Sequence, residues 1–212
     1  MKRSYKEEYQ YWLDSPALGE EEWKELSAIA EDEKEIESRF FAPLEFGTAG
    51  LRGVMATGLN RMNIHVIRWA TQAFAAVIKA EGEEACKKGV VVCYDCRLNS
   101  ERFAREAAGV MAANGIRVRI FDALRPTPEL SFAVMHYGAT AGINITASHN
   151  PREYNGYKVY WSDGAQLPPQ HAAAVAAEMG KLDIFHDVKL MSFEEATASG
   201  LVEVIGAETD EA

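Results

Sequence analysis

Val90-Val91-Val92-Cys93-Tyr94 is an unbroken apolar run, rich in β-branched residues. A strand with no polar residue in alternate positions is buried on both faces, as parallel strands in α/β proteins are. After it, Ser100 is a good helix cap, and Phe103, Ala107, Val110 and Met111 recur at helical spacing until Asn114-Gly115. Ile116, Val118 and Ile120 then alternate with Arg117 and Arg119, which predicts a strand with one wetter face. Thr127-Pro128 reads as a cap and an N1 proline opening a helix to Tyr137-Gly138. Ile143 and Ile145 lead a further strand. Asn155-Gly156 is a turn signal, and a strand is expected over Tyr157 to Trp161.

Before the run, Asn63 caps a helix with Ile64, Ile67, Thr71, Phe74 and Ile78 on one face, ended by Gly82. Phe46 to Gly53 is glycine-rich, with a short strand expected around Val54 to Thr57. The order β-α-β-α-β plus a hairpin strand predicts an α/β fold: a mixed, mostly parallel sheet with helices on both faces. Residues 1–40 are expected to be an N-terminal helical extension, with Glu8 and Trp12, then Trp23, Leu26 and Ile29, at helical spacing. Residues 41–212 are expected to form the α/β unit. Pro168 to Met179 predicts another helix; from Lys181 the pattern is short and weak.

The 212 residues are 48% hydrophobic and 25% charged, an ordinary globular composition, and carry a net charge of -10. That balance argues against a nucleic-acid surface, yet leaves room for a local cationic cleft. No apolar run approaches the ~20 residues of a membrane span. The N-terminal MKRSYKEEYQYWLD has no apolar core of a secretion signal. A cytoplasmic protein without membrane or nucleic-acid partners is expected. Three cysteines, Cys86, Cys93 and Cys96, fit reduced thiols. Cys93 and Cys96 have C-x-x-C spacing, but Cys93 ends a strand pattern rather than opening a helix, so no redox or metal role is expected.

The chemistry concentrates in Thr146-Ala147-Ser148-His149-Asn150-Pro151. A serine just after a buried strand lies at the carboxyl end of the sheet, where α/β folds place ligands. Asn150 and neighbouring amides suit phosphate oxygens, and Lys158 returns beside Ser148. A phosphoserine carries about -1.5 to -2 charges and needs cations close by.

This hexapeptide, with Asn155-Gly156-Tyr157-Lys158, resembles the α-D-phosphohexomutases, the family of phosphoglucomutases and phosphomannomutases. Phe46 to Gly53 looks like the family's glycine-rich active-site loop. Tyr94-Asp95-Cys96-Arg97 with Ser100, and Pro126-Thr127-Pro128, match in the expected order. The resemblance implies the following roles. Ser148 is the phosphoserine that exchanges its group with the sugar, and through its phosphate it ligates magnesium. His149 lines the site, Lys158 is the acid/base and Arg52 neutralises the transferring group. Thr48, Gly50 and Asn150 contact phosphate or substrate. Asp95 and Arg97 are read as a structural pair bracing the loops.

The implied reaction interconverts hexose 1-phosphate and hexose 6-phosphate through a sugar bisphosphate, which also serves as activator. The family's magnesium-binding Asp-Gly-Asp-type loop has no counterpart; Asp163-Gly164 is a lone turn pair. The expectation is therefore an isolated first domain, inactive by itself, whose partners are the remaining domains of the same enzyme. Within the family, phosphopentomutase and sugar-bisphosphate synthase activities are alternatives; outside catalysis, a phosphosugar-binding module is. A serine hydrolase would need a G-x-S-x-G elbow, which is missing. His149 is also expected to point away from Ser148 along an extended backbone. A nucleotide-binding loop would need a Gly-Lys-Ser/Thr ending, absent after Gly47.

Overall fold

A computed structural model describes residues 3–212. Three short helices come first: α1 (Tyr5–Leu13), α2 (Glu20–Ala28) and α3 (Glu33–Phe40). Ser4 and Glu7 form a capping box on α1, and Asp32 accepts from the Glu35 amide on α3. Next come β1 (Leu51–Val54), α4 (Ile64–Ala80), α5 (Glu83–Lys88), β2 (Val90–Tyr94), α6 (Ser100–Ala113) and β3 (Val118–Phe121). Then follow α7 (Thr127–His136), β4 (Ala141–Ile145), β5 (Tyr154–Trp161), α8 (Pro169–Met179), α9 (Phe193–Ala198), β6 (Val202–Ile205) and α10 (Ala207–Asp210).

The strands make one six-stranded sheet in the order β1-β5-β4-β2-β3-β6. β2 pairs in parallel with β3 and β4, and β3 with β6; β5 runs antiparallel to both β4 and β1. The sheet is thus mixed and mostly parallel, as the sequence pattern implies. Val90, Val92, Ile143, Ile145, Tyr157 and Val159 belong to one large apolar cluster with Phe74 of α4 and Met111 of α6. On the other face Val91, Cys93 and Tyr160 pack against Leu130, Ala133 and Val134 of α7. The apolar run of β2 is divided between these two faces, and all five of its residues are buried.

The N-terminal helices join the larger cluster. Trp12, Leu26 and Phe40 are buried, and Trp12 meets the rings of His65 on α4 and Phe185 edge-on. Glu25 accepts from Arg39 and from the Thr57 amide and hydroxyl, tying α2 to the segment after β1. Trp23, read as apolar-face, is half exposed at 51%.

Several local expectations shift. The strand expected at Val54 to Thr57 lies earlier, at Leu51–Val54, inside the glycine-rich stretch. Gly82, at φ +103°, ends α4 as expected, following the Glu81 C-cap, and it is also the N-cap of α5. Asn99, not Ser100, is the N-cap of α6, in left-handed conformation; Ser100 is the first helical residue, and its hydroxyl donates to Asp95. Pro126 occupies the cap of α7, so Thr127 is its first residue and Pro128 its second. Arg119 lies mostly covered, its guanidinium over the Tyr137 ring, rather than on a wet face. β6 comes from the weakly patterned tail: Val202-Glu203-Val204-Ile205 pairs only with β3, at the sheet edge.

Trp12→Ala is expected to cost about 3–5 kcal/mol of stability, the scale for truncating a buried aromatic. Urea unfolding followed by fluorescence and circular dichroism checks this. If the extension and sheet share one core, both probes keep a single coincident transition.

Candidate active site

β2 and β4 end side by side, with Tyr94 in register with Ile145, and the Asp95 amide donates to the Ile145 carbonyl at 3.2 Å. The serine loop leaves β4 at this carboxyl edge. β5 returns with Lys158 opposite Asn144, and β1 sets Arg52 opposite Gly156. A Cβ on Gly156 would lie 2.6 Å from the Thr146 carbonyl oxygen and 2.9 Å from that of Leu51. Glycine is required there for three backbones to meet. Asn155-Gly156 is therefore not the expected turn but part of β5; residues 146–153 make the reversal. Asn155 is buried, and its Nδ2 donates to the Leu98 carbonyl and Ser100 Oγ, each at 3.0 Å. It braces the loop from behind.

Ser148 has φ +57°. For a residue with a Cβ that region costs about 1–2 kcal/mol, so something must hold it. Its amide donates to Thr146 Oγ1 at 3.0 Å, and Thr146 Oγ1 donates to one Asp95 oxygen at 2.6 Å. The other Asp95 oxygen accepts from Ser100 Oγ at 2.8 Å and the Arg97 amide at 3.0 Å. The Arg97 guanidinium donates to four carbonyls: Ser148 (2.8 Å), Asn150 (2.6 Å), Pro151 (2.9 Å) and Tyr154 (3.1 Å). Asp95 and Arg97 thus brace the loop. Thr146, Ser100 and Asn155 belong to the same brace; only their hydrogen-bonding side chains hinted at it in the sequence.

The left-handed turn corrects one expectation. His149 does not point away: its Nδ1 lies 3.4 Å from Ser148 Oγ, a long contact. The reversal of the backbone at Ser148 brings the two side chains to the same side. Ser148, His149 and Arg52 are exposed, and Arg52 Nη1 donates to Asn150 Oδ1 at 2.9 Å. Lys158 is half-buried. Burial lowers its pKa from the ordinary 10.5, the nearby Arg52 charge lowers it further, and Asp95 opposes both.

Thr48 is exposed at the tip of a tight turn, where the Gly47 and Gly50 amides each donate to the other's carbonyl, at 3.2 and 2.8 Å. Gly50 has φ +76°, and a Cβ there would sit 1.8 Å from the Tyr157 carbonyl oxygen. The turn is thereby seated on β5 beside Lys158. The fold gathers Thr48, Gly50, Arg52, Ser148, His149, Asn150 and Lys158 on one open edge. A cavity of about 560 Å³ between α3 and α8 holds none of them.

The donor set does not suit a resident magnesium ion. Asp95 has both oxygens engaged within the protein, and the loop's other carboxylate, Glu153, is exposed on the surface. Among the described residues no group of three or more His, Cys, Asp or Glu is arranged to hold a metal. Cys93 is buried and Cys96 exposed, both as free thiols. Among the described residues no helix is long and apolar enough to cross a membrane.

Arg97→Ala is expected to lower stability by about 2 kcal/mol, the scale of one charged hydrogen bond, and to accelerate amide exchange over residues 147–154. Arg97→Lys should not restore protection, because a point charge cannot span four carbonyls. Hydrogen exchange with mass detection checks both. Arg52→Gln removes a repulsion, so the Lys158 titration midpoint should rise toward 10.5. With its folded pKa depressed, Lys158 makes stability climb as pH rises from the folded to the unfolded value. The Arg52→Gln variant should narrow that window, measured by nitrogen-15 NMR and denaturation at stepped pH.

Comparison with known proteins places the fold and the motifs together. The family model described as "Phosphoglucomutase/phosphomannomutase, alpha/beta/alpha domain I" matches residues 43–184. A Homo sapiens protein named phosphopentomutase is 42% identical over 174 residues, covering 78% of this chain and 28% of its own length. A Staphylococcus aureus (strain USA300) phosphoglucomutase is 45% identical over 139 residues, covering 65% of this chain and 25% of its own. A Thermus thermophilus structure, solved under the name of a phosphomannomutase, superposes with a TM-score of 0.64 at 30% identity. It covers 78% of this chain and 33% of that one. The chain therefore spans about a quarter to a third of the length of these relatives. The chain belongs to the phosphoglucomutase/phosphomannomutase family, whose α/β/α domain I it contains.

Proposed function

We propose that Ser148 carries a phosphoryl group and exchanges it with a sugar phosphate, as part of a phosphohexomutase. The observation that supports this best is the braced, left-handed Ser148: an exposed hydroxyl on a rigid loop, with Arg52 tied to Asn150 two residues away. In the forward step the Oγ–P bond of phosphoserine breaks and a bond forms from phosphorus to a sugar hydroxyl oxygen, giving a bisphosphate. The hydroxyl proton passes to Lys158, whose lowered pKa makes the neutral amine more available. Return of the other phosphoryl group to Ser148 releases the isomeric monophosphate. Arg52 offsets charge on the transferring group, and His149, Thr48, Gly50 and Asn150 line the substrate edge. Such a transfer depends on positioning and charge stabilisation.

Hexose 1-phosphate and 6-phosphate are the proposed pair, with the sugar bisphosphate as activator. A pentose phosphate reading is favoured by the name of the human relative. Magnesium is proposed to meet this chain only through the Ser148 phosphate, its other ligands coming from aspartates of further family domains. On this reading the 212-residue chain alone does not turn over. A cytoplasmic setting agrees with three free thiols, and a charge of -10 disfavours nucleic acid.

Intact mass and phosphosite mapping of protein from its native host should show one phosphoryl group on Ser148, lost in Ser148→Ala. In a family-length polypeptide, Lys158→Met should reduce turnover by about 10²–10⁴-fold, the range of a positioned acid/base. Full activity of the Ser148→Ala variant would remove the mechanism. Turnover by the 212-residue chain, free of contaminating enzyme, would overturn its proposed inactivity alone.

A further inference from the structure

On the α7 face of the sheet, three side chains form one row behind the serine loop. Cys93 of β2 is in register with Asn144 of β4, and Asn144 with Lys158 of β5. Asn144 is 1% exposed. Its Nδ2 donates to Thr127 Oγ1 at the start of α7, at 2.9 Å. Its Oδ1 is buried with no hydrogen-bond partner among the described residues. A buried carboxamide oxygen without a donor is uncommon and unfavourable.

The neighbours narrow the choice of donor. The Cys93 thiol donates to the Arg125 carbonyl at 3.2 Å, and burial pushes it up to about 12, so it stays protonated and committed there. Thr127 faces the nitrogen end of the amide. Lys158, on the other flank, is the remaining donor in the row. Residues directly opposite in an antiparallel pair have Cβ atoms about 4.5–5.5 Å apart. A lysine stem spans that gap by a change of rotamer.

We propose that Asn144 is the positioning residue of Lys158: its Oδ1 accepts one N–H of the Lys158 side chain and so aims the amine at the Ser148 loop. Asn144 touches no reacting atom. Its carboxamide is itself oriented by Thr127, which links the start of α7 to the acid/base. The proposal rests on the reading of Lys158 as acid/base for its meaning, though not for its test. The charged groups facing Lys158 are Arg52 from β1 and Asp95 from the loop after β2. Neither is altered by substitution at 144. An amine without this acceptor would sample many rotamers; with it, the amine has one root contact and a defined direction.

The test is nitrogen-15 NMR titration of Lys158 Nζ in the 212-residue chain, with no sugar phosphate present. Asn144→Leu removes the acceptor at similar volume. It should lower the proton affinity of Lys158 about three- to tenfold, the scale of one ordinary net hydrogen bond. An unchanged midpoint in the folded Leu variant overturns the proposal, and is also the outcome if a buried water holds Oδ1 instead. A second measurement needs no variant: a nuclear Overhauser contact between Lys158 Hε and the Asn144 side-chain amide in the unaltered chain. Its presence supports the pairing and its absence overturns it. In a family-length polypeptide, Asn144→Leu should lower kcat with KM unchanged and move the rising limb of the pH profile, which loss of the Lys158 proton sets, to lower pH. An equal loss at every pH would mark a merely structural role and count against the proposal. Because the NMR readouts need no turnover, their failure leaves the phosphoserine reading standing, and loss of that reading leaves the pairing standing.

Discussion

The Arg97 guanidinium donates to the carbonyls of Ser148, Asn150, Pro151 and Tyr154, and the geometry of the reactive edge depends on that fork. A loop that leaves a parallel strand has carbonyls with no ladder to bond. Here one planar cation satisfies four of them, which fixes the path of the chain from 148 to 154. The left-handed Ser148 is tolerated because the loop is over-determined: Arg97 holds its carbonyl, and Thr146 with Asp95 holds its amide. Asp95 also holds the start of α6 through Ser100, so loop and helix share one carboxylate.

This bracing divides the local cations by task. Arg97 faces backbone dipoles and Asp95, so its charge is largely answered within the protein. Arg52 is exposed and bound only to an amide oxygen, which leaves its charge available to an anion. Lys158 is partly buried beside Arg52; burial first, and then that repulsion, make its proton easier to lose. A structural, a binding and a titratable cation thus sit within one loop cluster. A chain of net charge -10 can present a cationic edge because the local field follows nearby charges more than the total.

What the sequence reveals depends on how local the determining physics is. The β2 run, the Asn63 cap of α4 and the helical spacing of α4 and α6 follow from residues near one another, and the α/β order was legible from them. β1 and β6 are four-residue edge strands whose pairing is decided by β5 and β3, so their own composition says little. Asn155-Gly156 has the composition of a turn, yet Asn155 is recruited as a brace and Gly156 by a close approach of backbones. The serine loop was legible as a resemblance, and Asp95 with Arg97 as a brace. The conformation of Ser148 was not, because serine has no preference for positive φ; the surrounding hydrogen bonds impose it. That one dihedral also explains why His149 lies beside Ser148 rather than away from it.

Rigidity and incompleteness of the site have a common origin. Phosphoryl transfer gains most from groups already in place when charge develops, since reorganisation is then avoided. Ser148 meets that condition on the side of the protein backbone, where its amide and carbonyl are both held. On the outward side it meets open surface: exposed Arg52, half-buried Lys158 and an Asp95 with neither oxygen to spare. A phosphoserine there, at about -1.5 to -2 charges, would be matched in charge but not in hard oxygen ligands. A brace that consumes Asp95 therefore holds Ser148 rigid and, by the same hydrogen bonds, leaves that carboxylate no oxygen for a divalent cation.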